Sequence, residues 1–256
     1  MSRDVAGFLL DMDGTLYKGR RPIPGAQGFV AALREKGIPF VMLTNNSSTS
    51  RAEYLRKVME LGFDVGIDNI LTSTTATLLH LNEHRKGEAV YPLGTPDFEE
   101  ELKEAGIPVS DTASIVLLAF DRTVTYSKLN HAYRLLSAGA ELIATHPDDL
   151  CPAEEGYDMD IGPFIRMYQE MTGVKAEVIG KPNRAMAEMA SLHLGVPIES
   201  LAMVGDRLYT DMRMAIDNGM HSILVLSGEA DHDSLRDSGL SPDLVVDSVA
   251  DLTDML

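Results

Sequence analysis

Cysteine is almost absent from this chain: Cys151 is the only one among 256 residues. A single cysteine cannot form an intrachain disulfide, which favours a reducing compartment, and we therefore expect a cytoplasmic protein. No apolar run approaches the roughly 20 residues that a membrane-spanning helix needs. The apolar run that ends at Asp11 is also too short for the hydrophobic part of a signal peptide. We therefore expect no association with a membrane.

Basic residues are also scarce, since 22 Lys and Arg face 39 Asp and Glu, which gives a net charge of −17. The basic residues are scattered, whereas a nucleic-acid backbone needs a basic face, so we expect no nucleic-acid partner. A bound divalent cation and a few local donors would still allow an anionic substrate to bind. The composition, 45% hydrophobic and 24% charged, is typical of a globular protein with a buried core.

Short apolar runs alternate with longer amphipathic segments, which predicts an α/β fold with a parallel sheet. The predicted strands cover residues 5–10, 39–43, 89–93, 114–120, 141–145, 177–179, 201–204, 222–226 and 243–246. The predicted helices cover residues 25–36, 50–62, 96–105, 127–138, 183–194 and 210–218. Residues 147–163, which are rich in proline and acidic side chains, are expected to form a surface loop.

The residues suited to chemistry all lie in the first 80 and last 80 positions. This distribution predicts a catalytic core made of residues 1–78 and 179–256, with residues 79–178 inserted as a second α/β domain. No internal repeat or low-complexity segment interrupts this organisation.

A pair of carboxylates follows the first predicted strand in the sequence Asp11-Met12-Asp13-Gly14-Thr15. Ligands of open α/β sheets bind beyond the carboxyl ends of the strands, where this segment is expected to lie. One carboxylate can act as a nucleophile while the other serves as general acid and then as general base. Gly14 would let backbone N–H groups approach a phosphate closely. The alternative is an acidic turn with no chemical role.

Three further segments follow predicted strands in the same way. Thr44 and Asn45 offer neutral donors for phosphate oxygens, although a polar loop before a helix cap would look the same. Lys181 could neutralise Asp11 and a substrate phosphate, but most lysines are solvated surface residues. Asp206 and Asp211 could complete an oxygen-rich pocket for Mg²⁺, although Asp211 could instead only cap the following helix.

The order of these segments resembles the haloacid-dehalogenase (HAD) superfamily, whose four motifs match residues 11–15, 44–46, 181 and 205–211. The long insertion, with Thr-Asn-Asn-Ser at 44–47 and Gly-Asp-Arg-Leu-Tyr-Thr-Asp at 205–211, is similar to the NagD-like branch. That branch includes 4-nitrophenyl phosphatases and phosphatases of sugars, nucleotides, pyridoxal and glycolate. The resemblance implies a Rossmann-like core that carries a mobile C2-type cap, which sets substrate specificity.

The resemblance also implies roles for the two carboxylates of the first motif. Asp11 would be the nucleophile and a Mg²⁺ ligand. Asp13 would be the general acid and base, and its main-chain oxygen would bind the metal. An acid at position 13 argues against dehalogenation, because an alcohol leaving group needs a proton and a halide does not.

The other motifs take binding roles under the same resemblance. Thr44 and Asn45 would hold the phosphate, and Lys181 would bridge it to Asp11. Asp206 would be a metal ligand, and Asp211 either a ligand or a partner of the ligands. Members of the branch often pair through their caps, so a homodimer is also implied.

The chain departs from this branch in the cap. Thr145-His146-Pro147-Asp148 stands where members commonly carry Thr-Asn-x-Asp, which makes His146 and Asp148 candidates for substrate contact. The alternative for His146 is a solvated loop residue. Asp158 and Asp160 add negative charge, which disfavours a substrate with a second anionic group.

The sequence thus predicts a Mg²⁺-dependent phosphatase that hydrolyses a small phosphorylated metabolite through an aspartyl-phosphate on Asp11. One alternative is a phosphotransferase or mutase, in which the same nucleophile passes the phosphoryl group to an acceptor other than water. Another is a non-enzymatic module that is phosphorylated on Asp11, as in response-regulator receivers. Those receivers are much shorter and do not need an inserted domain.

Overall fold

A computed structural model describes residues 5–153 and 156–256 of the chain. The strands are β1 (Gly7–Asp11), β2 (Tyr17–Lys18), β3 (Arg21–Pro22), β4 (Phe40–Thr44), β5 (Ile70–Thr72), β6 (Val90–Leu93), β7 (Ile115–Leu118), β8 (Glu141–Ala144), β9 (Leu150–Pro152), β10 (Tyr157–Met159), β11 (Ala176–Val178), β12 (Leu201–Gly205), β13 (His221–Val225) and β14 (Leu244–Val246). The helices are α1 (Ala26–Glu35), α2 (Arg51–Glu60), α3 (Ser73–His84), α4 (Pro96–Glu104), α5 (Tyr126–Ser137), α6 (Gly162–Thr172), α7 (Arg184–Leu194), α8 (Arg213–Asp217) and α9 (His232–Ser238).

These elements divide into two units. The first unit contains Arg51–Leu71, Lys181–Leu256 and the described part of Met1–Thr44. The second unit contains Asn45–Ser50 and Thr72–Gly180. The sequence placed the division after residue 78, but that position lies inside helix α3, whose residues all belong to the second unit.

The first unit is built on a six-stranded sheet with the order β14-β13-β12-β1-β4-β5. The four pairs from β14 to β4 are all parallel. All five residues of β1 are buried, as expected for a central strand of a parallel sheet that is covered on both faces. The chain continues from β1 to β4 on one side and returns through β12 on the other. The junction of β1 and β12 is therefore the topological switch point, where ligands of open α/β sheets bind.

The core of the first unit forms because apolar residues of the helices meet those of the sheet. Phe29 and Leu33 of α1 are buried in the same cluster as Phe8 and Leu10 of β1. The rings of Phe8 and Phe29 pack edge to face with centroids 5.8 Å apart, which is a favoured aromatic geometry. This packing fixes the position of β1 and therefore of the loop that follows it.

The second unit has its own four-stranded parallel sheet, with the order β11-β8-β7-β6. Its core includes Val116 and Leu118 of β7, Leu142 of β8, and Ile165 and Tyr168 of α6. Two separate parallel sheets with helices confirm the predicted α/β class, a Rossmann-like core with an inserted α/β unit.

Several local predictions need correction. Residues 147–163 were expected to form a loop, but β9 and β10 pair there as an antiparallel hairpin and α6 begins at Gly162. Residues 154 and 155 of that segment lie outside the described residues. Helix α3 was not predicted, because its first turn consists of Ser and Thr, which have low helix propensity. Its N-terminus is held by Thr72, whose side chain accepts from the backbone N–H of Thr75.

The segment after β12 also differs from its prediction of one helix over residues 210–218. A π-helical turn occupies Leu208–Met212, and the α-helix α8 follows it. Such turns are often found at functional sites. Within the described ranges, no helix is both long enough and apolar enough to cross a bilayer.

Candidate active site

The nucleophile candidate Asp11 is the last residue of β1 and is bound by Lys181. The Lys181 ammonium donates to Asp11 Oδ1 over 2.5 Å and to Asp211 Oδ1 over 2.7 Å, and it approaches the Leu43 carbonyl at 3.5 Å. Lys181 is 2% exposed. Residues from the first and last parts of the sequence therefore meet here, as the motif order predicted.

Asp206 follows β12, on the other side of the switch point from Asp11. Its Oδ2 accepts the Glu229 backbone N–H over 2.7 Å. Its Oδ1 is buried and has no hydrogen-bond partner among the described residues. A Cβ atom added to Gly14 or to Gly228 would collide with the Asp206 carboxylate. These two glycines therefore leave the space in which the Asp206 side chain lies.

Asp211 lies in the π-helical turn and is fully buried. Its Oδ1 accepts from Lys181, and its Oδ2 accepts the Arg207 backbone N–H over 3.1 Å. A Cβ atom on Gly205 would collide with this carboxylate, so the last residue of β12 must be small. Both oxygens of Asp211 are thus engaged in holding Lys181 and the turn after β12.

The charges of this cluster perturb one another strongly. Burial by itself lowers the pKa of Lys181, but the carboxylates of Asp11 and Asp211 outweigh it, and the net pKa is raised. Burial, followed by repulsion from Asp11 and Asp211, raises the pKa of Asp206 to about 8. Burial also raises the pKa of Asp211 to about 6, although Lys181 opposes this. One lysine therefore does not compensate the acidic cluster.

The loop after β1 carries Asp13 and is hydrogen-bonded to the segment that follows β13. Ser227 Oγ donates to the Gly14 carbonyl over 2.7 Å, and the Gly14 N–H donates to the Tyr17 carbonyl over 2.7 Å. Gly14 has φ 93°, a left-handed conformation that favours glycine. Burial raises the pKa of Asp13, while the nearby Lys57 lowers it. A raised pKa suits a carboxyl group that must donate a proton.

The acidic cluster fits a hard divalent cation. Asp11, Asp206 and Asp211 each offer a carboxylate oxygen, and these oxygens all lie within 4.8 Å of one another. Asp206 Oδ1, which is buried and has no partner in the described part of the chain, is what a ligand atom is expected to look like. Oxygen donors of this kind suit Mg²⁺. The prediction for Asp13 concerns its main-chain oxygen, and its side chain is not part of this group of described residues.

The predicted phosphate-binding pair is divided between the two units. Thr44 ends β4, and because Asp11 pairs with Leu43, Thr44 lies at the same edge of the sheet as Asp11. Asn45 belongs to the second unit, where its side-chain N–H donates to Asp148 Oδ1 over 3.0 Å.

His146 and Asp148, the predicted substrate contacts, lie in the second unit and are both buried. His146 Nδ1 lies 2.9 Å from Thr145 Oγ1, and its Nε2 lies 2.9 Å from Asp160 Oδ1. His146 is therefore not the solvated loop residue that was the alternative.

The sequence of this chain matches a known protein family over most of its length. A model described as haloacid dehalogenase-like hydrolase matches residues 8–108, and a second, HAD-hydrolase-like model matches residues 178–252. Sugar-phosphatase AraL of Bacillus subtilis is 33% identical over 252 residues, which cover 97% of this chain and 92% of that protein. The chain belongs to the haloacid dehalogenase-like hydrolase family.

Solved structures place this HAD-like hydrolase in a branch of the family. The 4-nitrophenylphosphatase of Thermotoga maritima superimposes with a TM-score of 0.94 at 38% identity, over 98% of this chain and 97% of that one. NagD of Escherichia coli superimposes with a TM-score of 0.90 at 28% identity, over 97% of this chain and 98% of that one. These matches confirm the NagD-like resemblance. At the level of the family, the phosphatases among them also confirm the predicted class, phosphoric monoester hydrolase.

Sequence reasoning missed one part of this HAD-like hydrolase site, the turn after β13. Ser227 binds the Gly14 carbonyl, Gly228 leaves room for Asp206, and Glu229 donates its N–H to Asp206. The available signal was the Ser-Gly pair directly after a buried strand, since that position lies at the same edge of a parallel sheet as Asp11.

Proposed function

We propose that this protein is a Mg²⁺-dependent phosphatase that hydrolyses a small phosphomonoester through an aspartyl-phosphate on Asp11. The observation that carries the proposal is the Lys181 ammonium bound to Asp11 and Asp211, near an Asp206 oxygen that has no partner within residues 5–153 and 156–256. This arrangement places a nucleophile (Asp11), a lysine ammonium (Lys181) and a carboxylate oxygen available to a metal ion (Asp206) at the switch point of the sheet.

In the first step, a carboxylate oxygen of Asp11 attacks the phosphorus atom. A bond forms between that oxygen and phosphorus, and the bond between phosphorus and the ester oxygen breaks. Asp13 donates its proton to the departing ester oxygen, which leaves as an alcohol. The raised pKa of Asp13 keeps this proton available at a higher pH than for an ordinary aspartate.

In the second step, Asp13 is ionised and takes a proton from a water molecule. The oxygen of that water bonds to phosphorus, and the bond from phosphorus to Asp11 breaks. Inorganic phosphate leaves, and Asp11 regains its carboxylate. Splitting one difficult displacement into two easier ones is the advantage of the covalent route.

Asp11, Asp206 and the main-chain oxygen of Asp13 would hold the Mg²⁺ ion. When bound, the ion supplies positive charge that offsets repulsion among the carboxylates and the phosphoryl oxygens. Asp211 spends both oxygens on Lys181 and Arg207, so we assign it to holding Lys181 rather than the ion.

Phosphate binding is assigned to Lys181 as the charged donor, and to Thr44, Asn45 and the backbone near Gly14 as neutral donors. Neutral donors can bind phosphate oxygens without quenching the Asp11 nucleophile. The second unit would act as a cap that sets substrate specificity. A sugar phosphate or similar small metabolite is the proposed substrate class, by analogy with Sugar-phosphatase AraL.

The first test compares Asp11→Asn with the wild type on 4-nitrophenyl phosphate and Mg²⁺, with the exposed Asp247→Asn as matched control. We expect Asp11→Asn to lose on the order of 10³-fold or more in turnover, because it removes the nucleophile. Near wild-type turnover would rule out the assignment. A screen of phosphorylated metabolites, each with and without Mg²⁺, would then identify the substrate class.

The same assays separate the alternatives. Free phosphate that accumulates in step with substrate loss supports hydrolysis. Transfer of phosphate to an added alcohol, with none released, would instead show a phosphotransferase or mutase. A stable phosphoprotein without turnover would show a phospho-acceptor module.

A further inference from the structure

The segment Asn45–Ser50, here called the Asn45 loop, is fastened to the second unit by side chains from several elements. Ser73 Oγ donates to the Asn45 carbonyl over 2.5 Å, and Thr95 Oγ1 donates to the Ser48 carbonyl over 3.0 Å. Ser47 Oγ accepts the Phe120 backbone N–H over 2.9 Å. The Asn45 loop is therefore positioned by the second unit, although it directly follows β4 of the first.

The side chain of Asn45 has a specific partner in Asp148. Both side chains are buried, and Asn45 Nδ2 lies 3.0 Å from Asp148 Oδ1. An ionised carboxylate can only accept, so this contact determines which end of the amide carries the N–H donors. A Cβ atom on Gly180 would lie 2.7 Å from Asn45 Oδ1, so a glycine is needed to leave the amide in place. The orientation of the amide is therefore fixed from two sides.

The turn that carries Asp148 is bounded by a hydrogen-bonded chain of buried side chains. The chain runs from Ser47 Oγ to Thr145 Oγ1 over 2.9 Å, then to His146 Nδ1, and from His146 Nε2 to Asp160 Oδ1. The Asp148 carbonyl also accepts the Gly162 N–H over 2.8 Å. This chain begins in the Asn45 loop and ends two residues before Gly162, so it encloses the turn that carries Asp148.

Direct substrate contact explains His146 less well. The residue is fully buried, and each ring nitrogen is already within hydrogen-bond distance of a partner. The oxygens of Asp148 and Asp160 also lie within 4.8 Å of a ring nitrogen, as in a metal site. However, the hydrogen bond between His146 Nε2 and Asp160 Oδ1 accounts for the approach of Asp160 without an ion, and Asp148 has its own partner in Asn45 Nδ2.

We propose that Asp148 is a positioning residue for the side-chain amide of Asn45, and that the His146–Asp160 pair locks the turn that carries Asp148. This rests on the proposed function in one respect, the binding of phosphate by Asn45. The cap residues at 146, 148 and 160 then act on the reaction through Asn45 rather than by touching the substrate.

The test measures inorganic phosphate as a competitive inhibitor of the Mg²⁺-loaded enzyme. The variants are Asp148→Ala, Asp148→Asn, Asp160→Ala, Asn45→Ala and the double variant Asn45→Ala/Asp148→Ala. Asp149→Ala is the matched control, because Asp149 is the next residue, is exposed and pairs with Arg166 on the surface. The second readout is the side-chain amide resonance of Asn45 in protein labelled with ¹⁵N-asparagine, assigned by its loss in Asn45→Ala.

We expect Asp148→Ala to raise the inhibition constant of phosphate about tenfold, the effect of losing one hydrogen bond to a charged group. Asp148→Asn keeps an acceptor oxygen in place, so it should raise the inhibition constant of phosphate less than about threefold. The double variant should be no worse than Asn45→Ala, since Asp148 acts through Asn45. In Asp148→Ala and in Asp160→Ala, the Asn45 resonance should move to the position of a solvated amide, and in Asp149→Ala it should stay.

The inference would be overturned if the double variant raised the inhibition constant by the product of the two single effects. It would also be overturned if the Asn45 resonance did not move in Asp148→Ala. If Asn45→Ala leaves the inhibition constant of phosphate unchanged, the phosphate role of Asn45 in the proposed function fails instead. The Asn45 resonance alone then decides whether Asp148 positions that side chain.

Discussion

Replacing Asp206 by Asn would remove one negative charge from the acidic cluster while keeping the size of the side chain. The amide oxygen can still accept the Glu229 N–H that binds Asp206 Oδ2 in the wild type. The pKa of Asp206 is raised from its ordinary value of 3.8 to about 8, because burial and the charges of Asp11 and Asp211 disfavour ionisation. In the metal-free protein, this raised pKa makes stability depend on pH.

The sign follows from proton binding. Between the ordinary and the raised pKa of Asp206, the unfolded chain is ionised while the folded protein keeps its proton. The unfolded state then binds fewer protons, so stability falls as pH rises through this window. One pKa unit corresponds to about 1.4 kcal/mol. The titration of Asp206 should therefore lower the free energy of unfolding by about 3 to 4 kcal/mol between about pH 5 and about pH 8. Asparagine does not titrate, so the variant should lack this component.

The assay is urea unfolding of the wild type and of Asp206→Asn in EDTA, at a series of pH values from about 5 to about 8. The difference between the two proteins reports Asp206 together with its effect on the neighbouring carboxylates, because the groups outside the acidic cluster titrate alike in both. Near pH 8 the variant should be the more stable protein in EDTA. Added Mg²⁺ should reverse this order, since only the wild type binds the ion well and binding stabilises the folded state.

The exposed residue Asp247 provides the control, because Asp247→Asn removes a charge outside the cluster. Its unfolding free energy should run parallel to that of the wild type across the whole pH range. Parallel profiles for Asp206→Asn and the wild type would refute the reasoning, as would an Asp206→Asn protein that Mg²⁺ still stabilises fully.

Three further predictions concern neighbouring residues. Gly228→Ala should weaken Mg²⁺ binding about tenfold by displacing Asp206, and unchanged affinity in calorimetry would contradict this. Lys181→Met should lower the unfolding free energy in EDTA near neutral pH by about 3 kcal/mol, because it leaves two buried carboxylates without a cation. An unchanged urea midpoint would count against the buried ion pairs. Asp13→Asn should slow release of phosphate by about 10²–10⁴-fold, so that phosphorylated protein accumulates and is seen by mass spectrometry. Absence of the phosphorylated species with activity retained would exclude Asp13 as the general base.

Nine of the strands and the order of the motifs could be read from the sequence because they depend on local pattern, whereas the short strands β2, β3 and β5 were not predicted. Continuous apolar runs such as that of β1 mark buried parallel strands, and polar residues at their ends mark the ligand edge of the sheet. The hairpin β9–β10 and helix α3 could not be read in this way. The segment that contains β9 and β10 is rich in proline and acidic residues, and α3 opens with Ser and Thr, so in both cases tertiary packing overrides weak local propensity.

The sequence by itself determined which side chains are available for chemistry: Asp11, Asp13, Lys181, Asp206 and Asp211 follow buried strands or stand at turn signals. Only the tertiary structure decided how their charges are compensated. Asp211 binds Lys181 with one oxygen and the Arg207 N–H with the other, whereas Asp206 keeps a buried oxygen without a partner among the described residues. Such pairing depends on distances of a few ångströms between residues far apart in the chain, which periodicity and spacing do not encode.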